Sequence, residues 1–148
     1  MDVSEFRSKV KPDIKIFIDG GEYLVREVVK FRLSDGSFYI KCFLNDGYVL
    51  ADDLNENCFL LVKEVETAFG LPYPENLIFD GKEFGFLYDA HAVAEETWGE
   101  EIFKKGDSER FWDYKAKDGG YLSLGINDTT GEKLDFYGKI IAGDGVNF

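Results

Sequence analysis

The turns constrain this chain more than any other feature. Six Asp-Gly pairs punctuate it: Asp19-Gly20, Asp35-Gly36, Asp46-Gly47, Asp80-Gly81, Asp118-Gly119 and Asp144-Gly145. Asp and Gly both tolerate the positive φ that tight hairpin turns demand, so an Asp-Gly pair between apolar runs reads as a β-hairpin. The flanks of these turns also recur. Phe17-Ile18-Asp19-Gly20-Gly21-Glu22-Tyr23 returns 61 residues later as Ile78-Phe79-Asp80-Gly81-Lys82-Glu83-Phe84. Phe38-Tyr39 followed by Asp46-Gly47-Tyr48-Val49 returns as Phe111-Trp112 followed by Gly119-Gly120-Tyr121-Leu122, with the Tyr48-to-Tyr121 offset now 73 residues. The chain reads as one β-rich unit written twice, with about a dozen residues added after Ala90, the difference between the offsets of 73 and 61.

Along the chain, residues 2–9 suit a short helix, with Ser4 as a candidate cap and Phe6 and Val10 on one face, ended by Pro12. Alternating Ile14, Ile16 and Ile18 then open a meander: a hairpin through Asp19-Gly20, a strand from Phe38 to Leu44, one from Tyr48 to Ala51 and a short apolar run from Cys58 to Val62. Gly70-Leu71-Pro72-Tyr73-Pro74-Glu75 marks a linker at 70–76 between units 13–66 and 77–141. The added segment Ala92 to Lys105 has glutamates early and lysines late, the charge order that suits a helix macrodipole. The expected architecture is a single domain over 1–148, mainly β and marginally α+β. It consists of two pseudo-repeated antiparallel β-meander units packed as a sandwich or a partly open barrel, with a short helical insert in the second. The glycine-rich tail after Ile141 reads as loose.

Composition narrows the partners. With 17 basic and 29 acidic residues the net charge is -12, a field that repels nucleic acid and anionic membrane surfaces. No apolar run approaches the length of a membrane span, and Met1-Asp2-Val3-Ser4-Glu5-Phe6-Arg7 has no basic or apolar leader pattern, which points to the cytoplasm. Cys42 and Cys58 lie in apolar stretches outside any C-x-x-C pair and read as thiols in a reducing compartment.

Groups with chemical potential are few. Asp53, Asn55 and Asn57 with Glu64 have the spacing of a calcium loop, but Cys58 stands where that loop needs Gly, so no metal is expected. His91 is the one histidine, which excludes sites built on paired imidazoles. On a helix it would lie one turn from Glu95, a pair able to move a proton. The adjacent carboxylates Asp52-Asp53, Glu95-Glu96 and Glu100-Glu101 point apart and read as solvated faces. Trp112, at the repeat position of Tyr39, reads as core, whereas Trp98 lies in the segment that interrupts the repeat and is a candidate contact residue.

Asp19 to Val25, Tyr39 to Leu44, and Phe111-Trp112-Asp113-Tyr114 through Gly119-Gly120-Tyr121-Leu122-Ser123-Leu124 to Phe136-Tyr137-Gly138-Lys139 together resemble the bacterial domain-of-unknown-function family 4178 over most of residues 14–141. This resemblance implies a β-rich fold and a link to envelope and membrane-stress gene neighbourhoods, and carries over no catalytic residue. The expected function is a non-enzymatic binding or adaptor module with a protein partner and no cofactor. Its patch is placed around Trp98 with His91, Glu95 and Phe103, and a second candidate loop holds Asp52, Asp53, Asn55 and Asn57. The rival readings are an acidic inhibitor or immunity-type protein that binds a basic partner, and a small hydrolase using His91 with a carboxylate.

Overall fold

The computed structural model describes residues 1–148. One helix, α1 (Val3–Lys9), precedes eleven strands: β1 (Lys15–Ile18), β2 (Gly21–Leu33), β3 (Phe38–Leu44), β4 (Tyr48–Asp53), β5 (Cys58–Val65), β6 (Asn76–Phe79), β7 (Lys82–Gly99), β8 (Ser108–Ala116), β9 (Gly120–Asn127), β10 (Lys133–Ala142) and β11 (Val146–Asn147). Both copies of the repeated motif form the same two-residue hairpin. Asp19 and Gly20 take φ of 48° and 83° between paired Ile18 and Gly21, and Asp80 and Gly81 take 52° and 72° between paired Phe79 and Lys82. Positive φ at both central residues matches the right-handed twist of the strands that leave the turn.

The strands run β2-β3-β4-β5-β10-β9-β8-β7 in antiparallel neighbours, and β7 pairs back onto β2. The result is a closed eight-stranded barrel, not a sandwich or a partly open barrel. Closure comes from the length of β7, which pairs with β8 through Phe84–Val93 and with β2 through Ala92–Gly99. That second stretch is the segment expected to be a helical insert. Its helix-like charge order gives way because Ala92 and Ala94, opposite Leu33 and Phe31, are small enough to face the barrel interior, and each strand bond to β2 satisfies backbone that would otherwise form an open edge. Gly99, at φ of 100°, ends the strand.

Apolar side chains collect in three layers. The barrel interior holds Val29, Phe31, Phe43, Val62, Phe103 and Phe136 among others. Outside β1–β5, Val3 and Phe6 of α1 cover Ile16, Val28, Leu50 and Phe59. Outside β8–β10, the segment between β5 and β6 packs Phe69 and Tyr73 over Trp112, Leu122 and Leu124, with Tyr73 edge-on to Trp112 at 4.9 Å. Trp112 is thus a core residue, as its repeat position predicted. The helix is capped by Asp2, which accepts the Glu5 N–H at 2.7 Å, in place of the expected Ser4. The tail is not loose. β11 pairs with β1, Val146 is buried, and the amino group of Met1 donates to the carbonyls of Gly143 and Val146.

Beyond Gly99 the chain crosses the end of the barrel and inserts Phe103, 1% exposed, against Phe31 at 5.1 Å and Phe43 at 6.0 Å. Glu27, 0% exposed on β2, holds this plug by accepting the N–H groups of Ile102 at 3.0 Å and Phe103 at 3.3 Å. Burial pushes the Glu27 carboxyl up to about 7, against the pull of those two bonds.

Two outcomes follow from this packing. At Gly138, β10 approaches β5 so closely that a Cβ would overlap the Leu61 carbonyl oxygen and lie 2.6 Å from Val62 Cα. Gly138→Ala therefore lowers stability by about 3 kcal/mol in urea unfolding. For Glu27 the folded carboxyl binds its proton more tightly than the unfolded one, whose ordinary value is 4.5, so its stabilising protonation is complete below that pH and is lost as pH rises through about 7. Glu27→Gln keeps one acceptor and cannot ionise. Its stability relative to the parent rises by about 2 kcal/mol between pH 4.5 and pH 8, measured by urea unfolding across that window.

Candidate functional site

The residues expected to form a patch are spread along β7 and beyond it. Trp98 is 45% exposed, opposite Val28 of β2. His91 faces outward, its side chain 54% exposed and its Nε2 3.8 Å from the Asp128 carboxylate. Glu95 sits in the bulge where the β2–β7 register slips, and its carboxylate is held by Arg32 and by Lys30 at 3.6 Å. The imagined proton-sharing pair does not form, because an extended strand sets residues four apart about 13 Å from each other. His91 lines neither the concavity of about 620 Å³ nor the one of about 570 Å³. Phe103 is the barrel plug and cannot be a surface contact.

The second candidate loop is a fastening for the N-terminus. Asp52 and Asp53 belong to β4, and Asp52 is buried in a two-pronged ion pair with Arg7 at 2.7 and 3.0 Å while accepting the Ile40 N–H. Asn57 Oδ1 accepts the Val3 N–H at 3.0 Å, and Asp53 accepts the Glu56 N–H at 3.1 Å, leaving Asn55 exposed in the turn. The calcium-loop spacing fails on distance, since Glu64 lies six residues beyond Cys58 along β5, about 20 Å of strand.

Two features that the sequence left unremarked carry more chemistry. The first is a polar network inside the barrel. Lys41 Nζ donates to both Glu109 oxygens at 2.8 and 3.0 Å, and Tyr39 donates to the same carboxylate at 3.1 Å. Beside them Asp113 accepts from Ser123 at 2.6 Å and from Tyr121, whose hydroxyl meets that of Tyr88 at 3.3 Å. Burial pushes the Asp113 carboxyl up to about 6, opposed by the hydroxyl bonds and by Lys41, and burial together with Asp113 raises Tyr121 strongly. The space between Lys41, Glu109 and Ser123 measures about 10 Å³, room for one water. The network is therefore packed on itself. Lys41→Met strands the Glu109 carboxylate in the interior and lowers stability by about 3 kcal/mol, and adding Glu109→Gln recovers most of that loss in a thermal-unfolding double-mutant cycle.

The second feature is a groove of about 620 Å³ outside the seam between β5 and β10. Cross-strand pairing puts Tyr48, Lys63 and Tyr137 on one rung of its floor. Tyr48 packs edge-on to Tyr23 at 5.2 Å, and Tyr137 packs edge-on to Phe79 at 5.2 Å and Phe84 at 6.0 Å, so both floor rings are braced from outside. Lys63 Nζ lies 5.1 Å from the centre of the Tyr48 ring. Lys82 and Lys139 stand at the sides, each reaching an aspartate of an Asp-Gly turn: Lys82 meets Asp118 at 2.8 Å and donates to the Tyr137 hydroxyl at 3.2 Å, and Lys139 meets Asp19 at 3.8 Å. The bonds to Asp118 and Tyr137 raise the Lys82 pKa, keeping it cationic. The sequence signal available was the repeated aromatic pair Tyr23 and Phe84; nothing local brought Lys63, Lys82 and Lys139 together.

Comparison with protein-family models, with curated proteins and with solved structures yields no match. No helix is long and apolar enough to cross a membrane.

Proposed function

We propose that this protein is a non-enzymatic binding module whose binding face is the groove at the β5–β10 seam. One observation carries the reading: a chain of net charge -12 gathers Lys63, Lys82 and Lys139 around Tyr23, Tyr48 and Tyr137 in a single concavity. Concave sites that combine ring faces with a few oriented charges are the usual form of a ligand site, and a volume of about 620 Å³ falls within their range. The other large concavity, of about 570 Å³, is lined by Asp13, Asp46 and Glu100 with Arg26 as its one cation, so it continues the acidic field of the surface.

In the same proposal the two meanders are pseudo-repeats, the groove lies where they meet, and the chain is a relative of family 4178 acting in the cytoplasm. The free thiols of Cys42 and Cys58 accord with a reducing compartment. Burial raises both thiols above their ordinary value, which leaves them protonated and unreactive.

The test is a small-molecule mixture screened by amide chemical-shift mapping on the isotope-labelled chain. Shifts that cluster at Tyr48, Lys63 and Tyr137 are the expected result. Shifts that cluster around Trp98 would move the binding face to β7, and their confinement to Tyr88 and Tyr121 would move it to the barrel interior; either result overturns the groove.

A further inference from the structure

Resting on the groove reading, we infer that its ligand is a phosphomonoester carried on a sugar ring. The charge argument starts from pairing. Lys82 and Lys139 have carboxylate partners in Asp118 and Asp19, whereas Lys63 has none and stands between the two floor tyrosines. The partnered pairs are exposed, and exposed ion pairs contribute little, so a dianion seated at Lys63 can draw Lys82 and Lys139 from the rims while Asp118 and Asp19 are rehydrated where they stand. A phosphomonoester, with close to two negative charges and three acceptor oxygens, suits three point-charge donors better than a carboxylate does.

The ring argument comes from the sheet. Tyr48 and Tyr137 stand two strand spacings apart, about 10 Å, on either side of Lys63, so a ring carried by a phosphate seated on the Lys63 ammonium has an aromatic side chain to either side. Both rings are held by edge-on neighbours and so are pre-oriented, which reduces the ordering cost of binding. Polymers of phosphate are disfavoured by the same surface that makes the groove distinctive. Outside these lysines the acidic residues dominate, so a long polyanion would meet repulsion along its length, while a single phosphate meets the three lysines with Asp118 as the one acidic residue lining the groove.

Isothermal titration calorimetry of the full chain tests the inference with glucose 6-phosphate, adenosine monophosphate, glucose and inorganic phosphate. The expected result is one-to-one binding of glucose 6-phosphate, weakened by added salt and by about tenfold or more in Lys63→Ala, with Trp98→Ala unchanged. Lys63→Gln serves as a second neutral variant, and an unchanged thermal midpoint shows that either variant is folded. Binding of both phosphomonoesters would assign the shared sugar-phosphate element. Binding of adenosine monophosphate alone would assign a nucleotide source within the same chemistry. Glucose binding as tightly as its phosphate, inorganic phosphate binding as tightly as either ester, indifference to Lys63→Ala, or no binding of any phosphate overturns the inference. Shift mapping that still centres on Tyr48 and Tyr137 with neutral compounds would then leave the groove standing with a different ligand.

Discussion

The hydrogen-bonded return of β7 onto β2 is the constraint on which the rest of the structure depends. Without it the two meanders would each end in an unpaired strand, and the inward side chains of β2 and β7 would face water. With it the outermost strands of the sheet are short: β6 has four residues and β11 has two. Closure also creates an end that needs a stopper. Phe103 fills it, and the cost of burying Glu27 beneath the plug is offset by two backbone N–H groups that would themselves be unsatisfied in the interior.

A barrel of eight strands has an interior wide enough for side chains or for one small ligand. Here side chains take the space. Aromatic and aliphatic groups occupy one part, and the Lys41–Glu109–Tyr39 and Asp113–Tyr121–Ser123–Tyr88 groups occupy another, with hydrogen bonds that close on each other. Such a network adds little net stability over an apolar filling but penalises any register that breaks it. The concavity at the seam between β5 and β10 lies outside this filled interior, bordered by the Asp118-Gly119 turn.

Turn chemistry and strand period were legible from the residues alone. Both repeated hairpins, the five antiparallel strands of the first meander and the buried Trp112 follow from Asp-Gly pairs and alternation. Ala92 to Gly99 was misread because glutamates before lysines suit a helix, whereas the deciding partners, Glu27 to Leu33, lie 59 to 72 residues away in the chain. Phe103 and Trp98 looked alike in the added segment from Ala92 to Lys105, yet one fills the barrel and the other meets solvent. Asp52, one of an apparently solvated pair, is buried because Arg7 of the helix reaches it. The tail after Ile141 looked unstructured because its order comes from β1 and from the amino terminus, neither of which is local to it.

By itself the sequence determined where the chain bends and that it is built of strands, because φ preference and side-chain alternation act over a few residues. Tertiary structure alone decided that the strands close into a barrel, that Lys41, Glu109 and Asp113 share its interior, and that Lys63, Lys82 and Lys139 share a groove. Those groupings depend on which strands become neighbours, and neighbourhood is set by the pairing of backbone groups far apart in the chain, which no short stretch of residues encodes.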